Sequence, residues 1–137
     1  KKIPFIFKII FTYHFKQPER GSVIIFRYPF DTSKFFIKRV IGLPGETVKI
    51  ESGKITITNE QNPNGFEVDD SYIKRRSFEN LSITLEEGEY FVMGDNRSGS
   101  SDSRTWGPLD EQFIIGRPFV QLLPVGDANI FPGDHTI

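Results

Sequence analysis

Hydrophobic positions fall in short blocks with turn residues between them. Arg20 to Tyr28 (RGSVIIFRY) is a compact apolar run between a turn-forming start and Pro29, and predicts a strand. Lys34 to Leu43 (KFFIKRVIGL) predicts a second, closed by Pro44-Gly45. Glu46 to Glu51 and Lys54 to Asn59 flank Ser52-Gly53, the pattern of a hairpin with a two-residue turn. Asn62-Pro63-Asn64-Gly65 reads as a loop, Phe66 to Ser77 as a weaker extended segment and Glu87 to Met93 as a strand. Gly94 to Arg104 then runs without one apolar side chain, and Phe113 to Leu123 closes the series. Strands at short intervals predict an antiparallel, mostly β domain with little helix.

Within Lys34–Leu43, alternation puts Phe36, Lys38 and Val40 on one face and Phe35, Ile37, Arg39 and Ile41 on the other. Each face is apolar apart from one cation. A lysine in such surroundings loses solvation of its charge, and its pKa falls far enough for the amine to act as a base near neutral pH. Arginine stays protonated and cannot do this. The plainer reading of Lys38 and Arg39 is an edge strand whose charges prevent sheet-to-sheet aggregation.

The polar stretch Gly94-Asp95-Asn96-Arg97-Ser98-Gly99-Ser100-Ser101-Asp102-Ser103-Arg104 carries two Asp and two Arg, whose charges cancel. That predicts a structured loop held by its own ion pairs and followed by Trp106. A calcium loop does not fit, because Arg97 and Gly99 occupy ligand positions and Trp106 stands where the terminal Glu belongs.

Composition narrows the chemistry. The 137 residues carry 17 basic and 18 acidic side chains, no cysteine and two histidines at opposite ends of the chain. Disulfides, thiolate catalysis and cysteine-ligated metals are excluded, a histidine metal site is not indicated, and a net charge of −1 gives no footprint for nucleic acid. Fourteen phenylalanines, twelve glycines and nine prolines favour strands and turns. No apolar run is long enough to cross a bilayer, and Ile3 to Phe15 is interrupted by Pro4, Lys8 and His14. Lys74-Arg75-Arg76 reads as a solvated face.

Phe36-Ile37-Lys38-Arg39-Val40-Ile41-Gly42-Leu43-Pro44-Gly45-Glu46, followed later by Met93-Gly94-Asp95-Asn96-Arg97 and Ser100-Ser101-Asp102-Ser103-Arg104, resembles bacterial type I signal peptidase. Arg20 to Phe26 and Gly116-Arg117-Pro118-Phe119 extend the resemblance to roughly residues 18 to 123. It implies a serine endopeptidase with a Ser/Lys dyad and no cofactor or metal. The fold implied is a partly open β-barrel-like catalytic domain spanning 1–137, with a small inserted β-hairpin region at about 50–85. That insert is short, which argues against a large separate subdomain. Matched position by position, Lys38 is the general base, and Ser100 hydrogen-bonds and orients it. Asp102 and Arg104 form a supporting ion pair, Asp95 lies nearby, and Arg39 is the structural basic neighbour. The implied partners are signal peptides of exported proteins, bound as extended strands, and the surface of the bacterial inner membrane on its extracytoplasmic side. Lys1 to Phe15 suits either shallow membrane contact or an ordinary core strand.

The family's nucleophile lies in a Ser-x-Ser-Met-x-Pro-like block upstream of the matched part. Met93, the one methionine, belongs to the later loop, and Ser22 stands inside a strand where the family usually has Asp. The expectation is a chain that begins after its serine and is inactive alone, with the oxyanion-hole donors lost with the same block. A naturally shortened, non-catalytic homologue that binds extended peptides is the alternative. A self-cleaving repressor shares the dyad, but no DNA-binding segment accompanies it here.

Overall fold

The computed structural model describes residues 17–118. Its strands are β1 (Val23–Tyr28), β2 (Asp31–Gly42), β3 (Thr47–Glu51), β4 (Lys54–Thr58), β5 (Phe66–Glu67), β6 (Leu81–Thr84), β7 (Glu89–Met93), β8 (Leu109–Asp110) and β9 (Ile114–Gly116). One short helix, α1 (Ser103–Trp106), and two 3-10 turns complete the elements. The expected Ile3 to Phe15 segment, and the closing strand beyond residue 118, lie outside the described residues.

Two antiparallel sheets carry the fold, in the orders β8-β7-β2-β1-β9 and β5-β4-β3-β6. The first curls into a half-barrel. One of its faces collects Ile24, Phe26, Val40, Tyr90, Val92 and Leu109, with Phe36, Trp106, Phe113 and Ile114 around them. Its other face meets the second sheet: Ile41, Phe91 and Met93 pack on Val48, Ile50, Ile55, Ile57, Val68 and Leu85. The alternation read for β2 therefore holds, since Phe36 and Val40 enter one cluster and Ile41 the other.

β2 is a central strand, paired with β1 on one side and β7 on the other. That removes the edge-strand explanation for Arg39, which has a partner on both sides, whereas Lys38 is paired on the β1 side only. The pairings are of unequal length. β1 runs along β2 from Asp31 to Arg39, whereas β7 covers only the stretch from Arg39 to Gly42. Among the described residues, no strand occupies the β7 side of Asp31 to Lys38. Gly42 sits where the sheets converge, and a Cβ there would press on Val48, Leu85 and Phe91.

The β3–β4 turn has positive φ at Ser52 (50°) and Gly53 (81°), the geometry that a two-residue hairpin requires. Phe66 to Ser77 shortens to the two residues of β5, followed by an irregular connection that reaches β6. That last strand is not apparent in the hydropathy pattern, because it is a sheet edge with only half-buried Leu81 and Ile83. Near the β2–β3 turn, Glu46 accepts hydrogen bonds from Arg20 Nη1 (2.6 Å) and Nη2 (2.8 Å), the Leu43 amide and Asn59 Nδ2.

Candidate active site

Lys38 leaves β2 on the face it shares with Phe36 and Val40 and meets the loop that follows β7. Its Nζ donates to Ser100 Oγ at 2.9 Å and lies 5.4 Å from the centre of the Phe36 ring. Burial pushes the amine below the usual lysine range; nearby Asp102 pulls it up and Arg104 pushes it down. Partial desolvation thus moves the amine in the direction a general base needs, toward an easier loss of its proton.

The loop reaches Lys38 because Gly94 lets it. A Cβ at Gly94 would overlap the Ser100 side chain and come within 3.4 Å of Lys38 Nζ. The chain then makes a 3-10 turn over Arg97–Gly99 and delivers Ser100 in extended conformation. Asp102, fully buried, caps α1 by accepting the Arg104 amide. Its carboxylate also accepts from the Gly94 amide at 2.9 Å, from Arg104 Nε at 2.8 Å and from Arg104 Nη2 at 2.7 Å. Burial alone would raise the Asp102 pKa. The bonds from Arg104, Gly94 and Ser100 outweigh it and hold the carboxyl below its usual range.

Lys38, Ser100, Asp102 and Arg104 thus form one continuous chain of contacts. Arg39 and Asp95 form a second group across the sheet. Arg39, 3% exposed, gives Nε and Nη2 to Asp95 at 3.0 and 2.8 Å, Nη1 to the Gly21 carbonyl, and its guanidinium to the face of Tyr72. The loop is consequently not held by its own ion pairs alone. Asp95 is used by Arg39, and Arg97 pairs with Asp70 at 2.9 Å. Arg104, beyond Asp102, reaches Glu79 and Ser77, both at 2.8 Å. Asp70, Ser77 and Glu79 escape a reading of the sequence because they sit in a weakly patterned connection. The available signal was charge accounting: once Asp95 serves Arg39, one loop arginine needs an outside carboxylate.

No group of three or more His, Cys, Asp or Glu side chains suited to a metal ion occurs among the described residues. No described helix is long and apolar enough to cross a membrane.

The fold has a solved counterpart. A crystal structure of a signal peptidase I from Enterococcus faecalis V583 aligns with a TM-score of 0.59 and 28% identity, over 75% of this chain and 97% of that one. Residues 4–123 match the family described as signal peptidase, peptidase S26, and the chain belongs to that family. Among its relatives are a probable signal peptidase I-2 of Synechocystis sp., 34% identical over 90% of this chain and 56% of its own length. A signal peptidase I of Leptolyngbya laminosa is 38% identical over 83% of this chain and 57% of its own length. The chain therefore spans a little over half the length of these curated relatives.

Proposed function

We propose that this chain carries the proton-accepting half of a Ser/Lys signal-peptide endopeptidase, with Lys38 as general base. The observation that carries the reading is the half-buried Lys38 amine, placed on β2 beside the Phe36 ring and tied to Ser100 at 2.9 Å. Ser100 Oγ accepts from Lys38 Nζ, and the neighbouring Asp102 carboxylate draws the hydroxyl hydrogen away from the amine. Ser100 can then only accept from Lys38, so the neutral amine points an N–H at Ser100. Its lone pair stays free for the hydroxyl of an incoming serine. Asp102 and Arg104 keep Ser100 in this state, and Arg39 with Asp95 fixes the strand and loop from the far face.

The catalytic serine comes from a Ser-x-Ser-Met-x-Pro-like block that these residues do not include. The substrate is the signal peptide of an exported protein, lying as an extended strand near the uncovered edge of β2, with cleavage on the extracytoplasmic side of the membrane. No cofactor or metal takes part.

The test is signal-peptide cleavage by a polypeptide in which this chain follows such a serine block. Lys38→Met should reduce kcat by about 100- to 10,000-fold with the fold intact, the range of a lost general base. Ser100→Ala should cost less. Full activity in Lys38→Met would refute the assignment. A larger loss for Ser100→Ala than for Lys38→Met would mean that Ser100 does more than orient the amine.

A further inference from the structure

The irregular connection between β5 and β6 touches the 94–104 loop at both ends. Near the start of the loop, the Arg97 amide donates to the Arg75 carbonyl at 3.0 Å, and Arg97 Nη1 donates to Asp70 Oδ2 at 2.9 Å. Arg97 Nε returns to the Gly94 carbonyl at 3.1 Å, closing the turn that precedes Ser100. At the far end, Arg104 Nη1 donates to Glu79 Oε1 and to Ser77 Oγ, and Ser77 Oγ in turn donates to Glu79 Oε1, each at 2.8 Å. The connection is itself anchored to the β3–β4 turn, where the Gly53 amide donates to the Glu79 carbonyl and the Ser52 amide to Asn80 Oδ1. The second sheet therefore holds the loop that faces Lys38.

We propose that Glu79, through Arg104 and Asp102, is a positioning residue for the Lys38–Ser100 pair, with Asp70 performing the matching task through Arg97. The inference rests on the reading of Lys38 as the base. Arg104 is a two-sided clamp whose side chain is 6% exposed, with Asp102 on its inner side and Glu79 on its outer side. Two carboxylates and the Ser77 hydroxyl leave the guanidinium one orientation. That orientation gives Asp102 its bidentate pair, and so fixes the carboxylate that holds the Gly94 amide and lies beside Ser100. Without Glu79 the outer restraint goes, Arg104 gains rotamers, and Asp102 loses part of its compensation. Asp102 and Arg104 act on the amine in opposite directions, so a loosened Arg104 leaves the Asp102 charge to dominate. Arg39 and Asp95 lie across the sheet and pair with each other.

Glu79 suits the experiment better than Asp70. Its side chain is 34% exposed, so truncation leaves room for water, whereas loss of Asp70 strands Arg97 with its side chain 3% exposed. The Lys38 amine is titrated by NMR in the unsubstituted chain, in Glu79→Ala and in Glu79→Gln, with folding checked by amide spectra. In the unsubstituted chain the amine should titrate below the ordinary lysine value. Glu79→Ala should move it upward by about half a pH unit or more, a differential interaction of the size one lost partner produces. Glu79→Gln should move it less, because its amide oxygen still accepts from Arg104. In the cleavage assay, Glu79→Ala should lower kcat about 3- to 10-fold with KM nearly unchanged, and shift the acid limb of the pH profile upward. An ordinary value in the unsubstituted chain would overturn the base assignment itself. A lowered value that Glu79→Ala leaves in place or lowers further, or that Glu79→Gln shifts as far as Glu79→Ala, would overturn the role of Glu79 alone.

Discussion

Lys38 holds its charge at a cost, and the cost has a direction. Its folded pKa lies below the unfolded value, so between the two the unfolded chain binds more protons than the folded one. Stability contributed by this residue therefore rises with pH across that window, toward the ordinary value of 10.5. Lys38→Met removes the penalty. The variant should be the more stable protein at pH 7, by under about 1 kcal/mol because water screens a half-buried amine, and its advantage should shrink as pH approaches the lysine range. Thermal melts at pH 7 and pH 10 check this, and an advantage that grows with pH would contradict it. Gly94 is the opposite kind of residue, needed for what it lacks. Gly94→Ala drives a methyl group into the Ser100 side chain and should cost about 1–3 kcal/mol by overpacking while displacing Ser100 from Lys38. Urea melts measure the first effect and the Lys38 titration the second.

Among the elements, the 94–104 loop depends most on one side chain. Asp102 caps α1, holds the Gly94 amide and pairs with Arg104 in a fully buried position. Asp102→Asn leaves the guanidinium with half its compensation and should destabilise by about 3–5 kcal/mol. The carboxyl has a folded pKa below its unfolded value, so its stabilisation is complete above the ordinary carboxylate range and lost as pH falls through the folded pKa. The Asn variant should lose that part of the acid dependence, measured by melts between about pH 2 and pH 6. This loop also shows how far the sequence carries. Alternation was enough for β3 and β4, because each has one face committed to a core, and for β2, whose two faces serve two different cores; the Ser52-Gly53 turn was legible from its residue types. The pairing of Lys38 with Ser100 was visible as a family pattern only; nothing local in either segment states that they meet. The 68–80 connection was illegible because its side chains are fixed by charges elsewhere in the chain, which no periodicity records.

On the scale of the whole molecule, two of the buried ion pairs among the described residues divide the labour. The Asp102–Arg104 pair belongs to the loop that faces Lys38, while Arg20–Glu46 joins the entry to β1, the β2–β3 turn and the end of β4. Arg20 also donates to the Ile41 carbonyl at 3.0 Å, so the pair sits where β2 passes from the first sheet toward the second. Burial opposes the Glu46 charge, and the bonds from Arg20, Asn59 and the Leu43 amide overcome it and hold the pKa below the usual range. Its stabilisation, too, is lost as pH falls through the folded value. Glu46→Gln keeps the volume but gives up the charge and one acceptor, and should cost about 2–3 kcal/mol. None of these bonds touches Lys38, Ser100 or Arg104, so the Lys38 amine should titrate in Glu46→Gln as it does in the unsubstituted chain. Chemical denaturation and the NMR titration on one sample separate the two quantities. A Lys38 shift in Glu46→Gln comparable to that in Glu79→Ala would mean that the site responds to general loosening of the two sheets. An unchanged amine in a clearly weakened protein would show that the contacts around Arg104 set its proton affinity, with the rest of the fold supplying the frame.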